Sequence, residues 1–151
     1  MTRDDRSPEA RSETMRRVRS RDTSCELALR RALFARGLRY SLSKPLPGKP
    51  DIVFVAARVA VFVDGCFWHG CPEHCRRPAS HREYWNSKIE RNRARDERVS
   101  AELTAAGWRV VRLWEHEVTA SPARCAARVE RIVRGRLIGQ GRRSRPPARS
   151  P

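Results

Sequence analysis

No apolar run in this chain is long enough to cross a bilayer, which argues against a membrane-spanning helix. The opening Met1-Thr2-Arg3-Asp4-Asp5 begins no signal peptide. Lysine is scarce, with three residues among 33 basic ones, and no internal repeat is visible. An even set of cysteines is missing too. Of five Cys, three fall within ten residues and share that stretch with two His, which is metal spacing in a reducing compartment rather than a disulfide framework. A cytoplasmic protein is expected.

Positive charge is abundant. Thirty-three basic against 17 acidic residues give +16 and a pI near 11.3, the footprint of a polyanionic partner. Residues 1–21 carry +3 and residues 136–151 carry +5, which leaves +8 on the body. A folded surface is therefore itself basic. At 151 residues the chain is one domain's worth. Residues 1–20 are expected to be a flexible basic arm, 21–135 the folded domain, and 136–151 a disordered Arg/Pro-rich tail.

Within that domain Thr23-Ser24-Cys25-Glu26 is a capping box, and Gly37 is a fitting helix stop. Cys25, Leu29, Ala32 and Leu33 follow helical spacing between them. Arg39–Leu42 is expected as a short strand. Lys44–Pro50, with three prolines and a glycine, is a loop. Asp51–Val55 and Val59–Val63 are nearly all apolar, as in central strands covered on both faces, and Ala56-Ala57-Arg58 is short enough to join them as a hairpin. Ser80-His81-Arg82-Glu83 is a second capping box, opening a long helix that Gly107 ends. Trp108–Trp114 reads as another strand, and Ser121-Pro122 caps a helix running to about Gly135. The order α-β-β-β-α-β plus a terminal helix predicts an α/β layer fold around a small mixed sheet.

The segment Cys66-Phe67-Trp68-His69-Gly70-Cys71-Pro72-Glu73-His74-Cys75 follows the second strand. Zinc ligands available there are Cys66, Cys71 and either His74 or Cys75, with His116 the best placed distant fourth. A closed four-ligand set is structural and contributes to folding. Cys25 and Cys125 lie on helix faces and read as core residues. In a hairpin, Asp51 at the start of one strand lies beside Val63-Asp64 at the end of the next. Two carboxylates and the Val63 main-chain carbonyl make a hard-oxygen site suited to Mg²⁺; the competing reading is turn punctuation by Pro50-Asp51 and Asp64-Gly65.

On the long helix, Trp85, Ile89, Asn92, Asp96, Val99, Leu103 and Ala106 share a face, so Asn92 and Asp96 interrupt a stripe that should be buried. An inward carboxylate requires a metal or an Arg partner. Glu26 is explained by its cap, with an active-site role secondary. His69 is a spare imidazole able to move a proton. Phe67-Trp68 is either a wedge into a base stack or buried beside the zinc. Arg91, Arg93, Arg95 and Arg98 form a solvated helix face, with phosphate contact as an addition.

Pro50-Asp51, the run Phe62-Val63-Asp64-Gly65-Cys66-Phe67-Trp68-His69, Asn92 with Asp96, and Gly107-Trp108-Arg109-Val110 resemble the very-short-patch (Vsr) mismatch endonucleases. The resemblance spans about Ser12 to Val133 and includes Met15-Arg16 and Arg21-Asp22-Thr23. It implies a restriction-endonuclease-like, PD-(D/E)XK-type core with a structural zinc. The implied reaction is nicking of one DNA strand 5′ to the thymine of a T:G mismatch left by deamination of 5-methylcytosine.

Carried over by position, Asp51 and the Val63 carbonyl would hold Mg²⁺. His69 would be the general base or acid, with Asp96 supporting it or a metal-bound water. Phe67 and Trp68 would intercalate, with Met15 entering from the other groove and Arg16 also contacting DNA. Val63-Asp64 stands where the best-known members have Thr-His, so Asp64 supplies a direct or water-mediated carboxylate instead of an imidazole. The catalytic Lys of the wider superfamily is absent. In the zinc set Cys71 and His116 replace His and Cys, and the knuckle spacing favours His74 over Cys75. The expected protein is a monomer acting on duplex DNA, with downstream repair proteins as further partners. Two rivals are a non-catalytic zinc-stabilised nucleic-acid-binding module, which would not need converging carboxylates, and a related nuclease of different specificity.

Overall fold

A computed structural model of the chain describes residues 23–42, 44–66, 71 and 81–143. Helix α1 (Ser24–Ala35) starts at Thr23, whose extended backbone lets its Oγ1 accept the Glu26 N–H at 3.4 Å. It stops at Gly37, which takes the left-handed φ of +78° that a helix terminus favours in glycine. Strand β1 (Ile52–Phe54) pairs antiparallel with β2 (Val59–Asp64), Ile52 opposite Val61, so the expected hairpin is present. Helix α2 (Arg82–Ala105) then crosses over to β3 (Arg109–Trp114), which runs parallel to β2 from Val59 opposite Arg109 to Asp64 opposite Trp114. The sheet is mixed, with β2 in the centre.

A central strand must be apolar on both faces, and β2 is. Val59 and Val61 pack in one layer with Leu29 and Leu33 of α1 and with Val111 and Leu113 of β3. Ala60 and Phe62 point the other way, onto Val99 and Leu103 of α2. The first layer is closed by helix α3 (Glu115–Ala120) and helix α4 (Pro122–Arg143), through Val118, Ala126 and Val129. Cys25 and Cys125 are buried in that layer, as their helix faces indicated. Among the described residues no helix is long and apolar enough to cross a membrane.

Four expectations need correction. The strand over Arg39–Leu42 is only one bridge, Ser41 with Val53, because the proline-rich loop that follows leads the chain away before a ladder can extend. Helix α2 has His81 as its N-cap, left-handed at φ 59° with no side-chain bond, so the capping box from Ser80 does not set its start; Ser80 lies outside the described residues. Helix α3 was not anticipated: its single short turn-and-a-half carries too little periodicity to read. Helix α4 continues through Gly135 to Arg143, so the segment expected to be tail is partly helix. The cause is tertiary. Arg136 donates to the Ala57 carbonyl at 3.1 Å and to the Gly107 carbonyl at 2.7 Å, holding the glycine-bearing stretch against the strand ends.

Gly48 marks how closely the proline-rich loop approaches α2. Its φ is +73°, and a Cβ there would strike the Val99 side chain and press on Phe62. Gly48→Ala is therefore expected to cost about 2–3 kcal/mol, from backbone strain plus overpacking, read as a lowered midpoint in urea unfolding with unchanged slope.

Candidate metal centre and acidic site

Parallel register decides what meets at the end of the sheet. Asp64 lies opposite Trp114, so two residues further along each strand Cys66 and His116 emerge side by side. Their approach is Cys66 Sγ to His116 Nδ1 at 3.3 Å. A turn closed by the Cys71 N–H on the Cys66 carbonyl, at 2.9 Å, brings Cys71 back, and its Sγ lies 3.6 Å from the same nitrogen. All three ligand atoms fall within 4.8 Å of one another.

A tetrahedral zinc with Zn–S of about 2.3 Å and Zn–N of about 2.0 Å would place sulfur and nitrogen about 3.5 Å apart. The observed spacings fit that ion. Burial pushes the Cys66 thiol up, so a cation bound there would displace its proton. His116 is held in place by α3: the Glu117 carboxylate accepts the Trp114 N–H at 2.9 Å, fixing the strand-to-helix turn that carries the imidazole. His74, expected as a further zinc ligand, and its rival Cys75 lie outside the described residues.

Asp51 sits at the same end of the sheet. Its N–H donates to the Val61 carbonyl, and its carboxylate accepts the Val63 N–H at 2.7 Å. Period-two alternation puts Val63 on the same edge of β2 as Val61, so its carbonyl faces the edge where its N–H meets Asp51. Burial, then the nearby charges of Glu26 and Asp64, push the Asp51 carboxyl up to about 6 against the relief given by the Val63 N–H and Arg30. Such a carboxylate favours a cation beside it. Glu26, only 4% exposed, bonds Arg30 at 3.4 Å and lies close enough to act on Asp51, so it belongs to the acidic site as well as to its helix cap.

Asp64 and Asp96 are joined differently from the expectation. Arg112 Nη1 donates to both Asp64 oxygens, at 2.9 and 3.2 Å, and lies 3.7 Å from Asp96 Oδ1. Its Nη2 bonds the Asp96 carbonyl at 3.3 Å and its Nε the Ser100 hydroxyl at 3.1 Å. The Arg partner weighed for Asp96 is thus present. Among the described residues no third carboxylate oxygen closes on Asp51 and Asp64 within metal-ligand reach. Asn92 and Asp96 lie half-buried on the α2 stripe, with Ile89, Val99 and Leu103 buried, whereas Ala106 is exposed. Arg91, Arg93, Arg95 and Arg98 are exposed, as a solvated face should be.

Arg112 is the residue that sequence reasoning missed. Its signal was a lone cation inside the apolar run Val110-Val111-Arg112-Leu113, which calls for acidic partners; these are buried Asp64 at the end of β2 and half-buried Asp96 on α2. Phe67, Trp68, His69, Met15 and Arg16 lie outside the described residues.

Residues 3–77 match the family model of the DNA mismatch endonuclease Vsr. The chain is 51% identical over 113 residues to the type II nicking enzyme V.NaeI of Lentzea aerocolonigenes, covering 71% of this chain and 68% of that one. It is 50% identical to the type II nicking enzyme V.XorIIP of Xanthomonas oryzae pv. oryzae, covering 75% and 85%. With the DNA mismatch endonuclease Vsr of Escherichia coli K12 it shares 40% identity, covering 70% and 69%. Identity of this order across two thirds or more of each relative makes the chain a member of the Vsr family of DNA endonucleases.

Proposed function

We propose that this nuclease nicks one strand of duplex DNA 5′ to the thymine of a T:G mismatch arising from 5-methylcytosine deamination, as a monomer in the cytoplasm and with Mg²⁺ as its cofactor. The observation that carries the reading is the Asp51 carboxylate, half-buried at the sheet end where it accepts the Val63 N–H, in a strongly basic protein of this family.

In this reading Asp51 and the Val63 carbonyl hold Mg²⁺, which when bound supplies Lewis-acid stabilisation of charge at the scissile phosphate. Glu26 adds negative charge to that edge. His69 moves the proton between water and the leaving oxygen, and Asp96 supports it. Cys66, Cys71, His74 and His116 hold a structural Zn²⁺ that pins the aromatic loop to the end of β3. Phe67 and Trp68 enter the base stack, with Met15 and Arg16 on the opposite groove, so the wobble pair is read by deformability as well as by its edges. Downstream repair proteins would then receive the nick.

The test is a panel of end-labelled duplexes differing only at one position, T:G, T:A or C:G, in several sequence contexts. Nicking beside the T of T:G alone is the expected outcome. Equal cleavage of all three would keep a nuclease and remove the mismatch assignment.

A further inference from the structure

We infer that Arg112 is a positioning residue of the active site, and that Asp64 is its anchor rather than a ligand of the catalytic cation. The inference rests on the reading of Asp51 as the cation-holding carboxylate and deepens it. Arg112 is fixed from four sides: both Asp64 oxygens, the Asp96 carbonyl and carboxylate, the Ser100 hydroxyl, and the Phe62 ring 4.3 Å beneath its guanidinium. Asp64 terminates β2, Arg112 lies on β3, and Asp96 and Ser100 lie one turn apart on α2. One side chain therefore sets the separation between the strand that carries Val63 and the helix that carries Asp96.

An arginine does this where a lysine would not, since its planar fork reaches two carboxylates and a carbonyl at once and keeps its charge at any working pH. Asp64 is 7% exposed, and its negative charge is already compensated at 2.9 Å. To bind a divalent ion it would have to abandon a partly buried guanidinium and leave that cation with only the more distant Asp96 carboxylate, 3.7 Å away. Among the described residues the Asp51 carboxylate meets a main-chain N–H and more distant charges, and no guanidinium within bonding distance.

The test is Mn²⁺ binding to the DNA-free, zinc-loaded protein, followed by electron paramagnetic resonance, together with thermal melting and nicking kinetics. The variants are Asp51→Asn, Asp64→Asn, Arg112→Gln, Arg112→Lys and the double variant Asp64→Asn with Arg112→Gln. Asp64→Asn should leave the Mn²⁺ dissociation constant within about threefold of the parent, although kcat falls tenfold or more because the clamp is lost. Arg112→Gln should bind Mn²⁺ more tightly, since it removes the cation that anchors Asp64, and should melt below the double variant, in which the buried Asp64 charge is removed as well. Arg112→Lys should recover the melting temperature in part and kcat little.

A tenfold or greater loss of Mn²⁺ affinity in Asp64→Asn, with Arg112→Gln unchanged, would make Asp64 a ligand and overturn the inference. A double variant melting no higher than Arg112→Gln would overturn the clamp. Asp51→Asn serves as the control for the underlying site: if it too leaves Mn²⁺ affinity unchanged, the cation reading of Asp51 fails, whatever Asp64 does.

Discussion

Asp51→Asn is expected to reduce nicking on the order of 10³-fold or more, about 4 kcal/mol of transition-state stabilisation, while binding the same duplexes. The amide keeps an oxygen where the Val63 N–H donates at 2.7 Å, so the strand ends stay paired; what is lost is the charge that holds the cation. The same variant should be more stable than its parent without metal. Burial raises the Asp51 carboxyl to about 6 from an ordinary value of 3.8, so the ionised form is the costly one in the fold. That cost is absent below the ordinary carboxylate range and is fully present once pH exceeds about 6. At pH 7–8 Asp51→Asn should therefore gain about 1–2 kcal/mol and melt a few degrees higher, with the difference closing toward pH 4. Lost activity with raised stability is the signature of a strained functional carboxylate; a variant both inactive and unfolded would indicate a structural role only.

Removal of the Cys/His metal should have the largest effect on folding. Cys71 is 2% exposed, and with Cys66 and His116 it ties the chain after β2 to the chain after β3. Cys71→Ala is expected to lose the zinc, measured as metal content near zero against one per chain. It should cost on the order of 5 kcal/mol and lower the melting temperature by about 10 °C or more. Cys125→Ala, in the α1–α4 layer and outside the cluster, should keep its zinc and lose only about 1 kcal/mol. Equal metal content in the two variants would remove the zinc centre. Nicking should also fall in Cys71→Ala more than stability alone accounts for, because the loop carrying Phe67, Trp68 and His69 lies between two of the ligands.

Much of this was legible in the chain because it is local or periodic. The unbroken apolar run Val59–Val63 could only be a strand covered on both faces, and α1 and α4 on one side with α2 on the other cover it. The short Ala56-Ala57-Arg58 link made β1 and β2 a hairpin, which put Asp51 beside Val63 before any coordinate was known. The Cys/His density pointed to a metal site, and Cys66, Cys71 and His116 do converge; His116 was reachable because it follows a strand end.

Long-range facts were not legible. Nothing near Asp64 in sequence names Arg112, 48 residues away, as its partner; that pairing depends on β3 lying parallel to β2 in one register. Gly135 looked like a helix stop because glycine costs about 1 kcal/mol in a helix interior, yet the Arg136 bonds to Ala57 and Gly107 carry the helix past it. The Ser41–Val53 bridge shows the converse, a strand-like sequence with only one residue's worth of partner.

In the proposed function a cation held at Asp51 drives mismatch-directed nicking. Its most direct measurement is single-turnover strand cleavage with Mg²⁺ on matched T:G and T:A duplexes, by the parent protein and by Asp51→Asn. One nick, 5′ to the mismatched T, is expected in the parent reaction only. Cleavage of T:G DNA by Asp51→Asn at the parent rate, or binding of every duplex without cleavage by the parent across sequence contexts and with Mn²⁺, would contradict it.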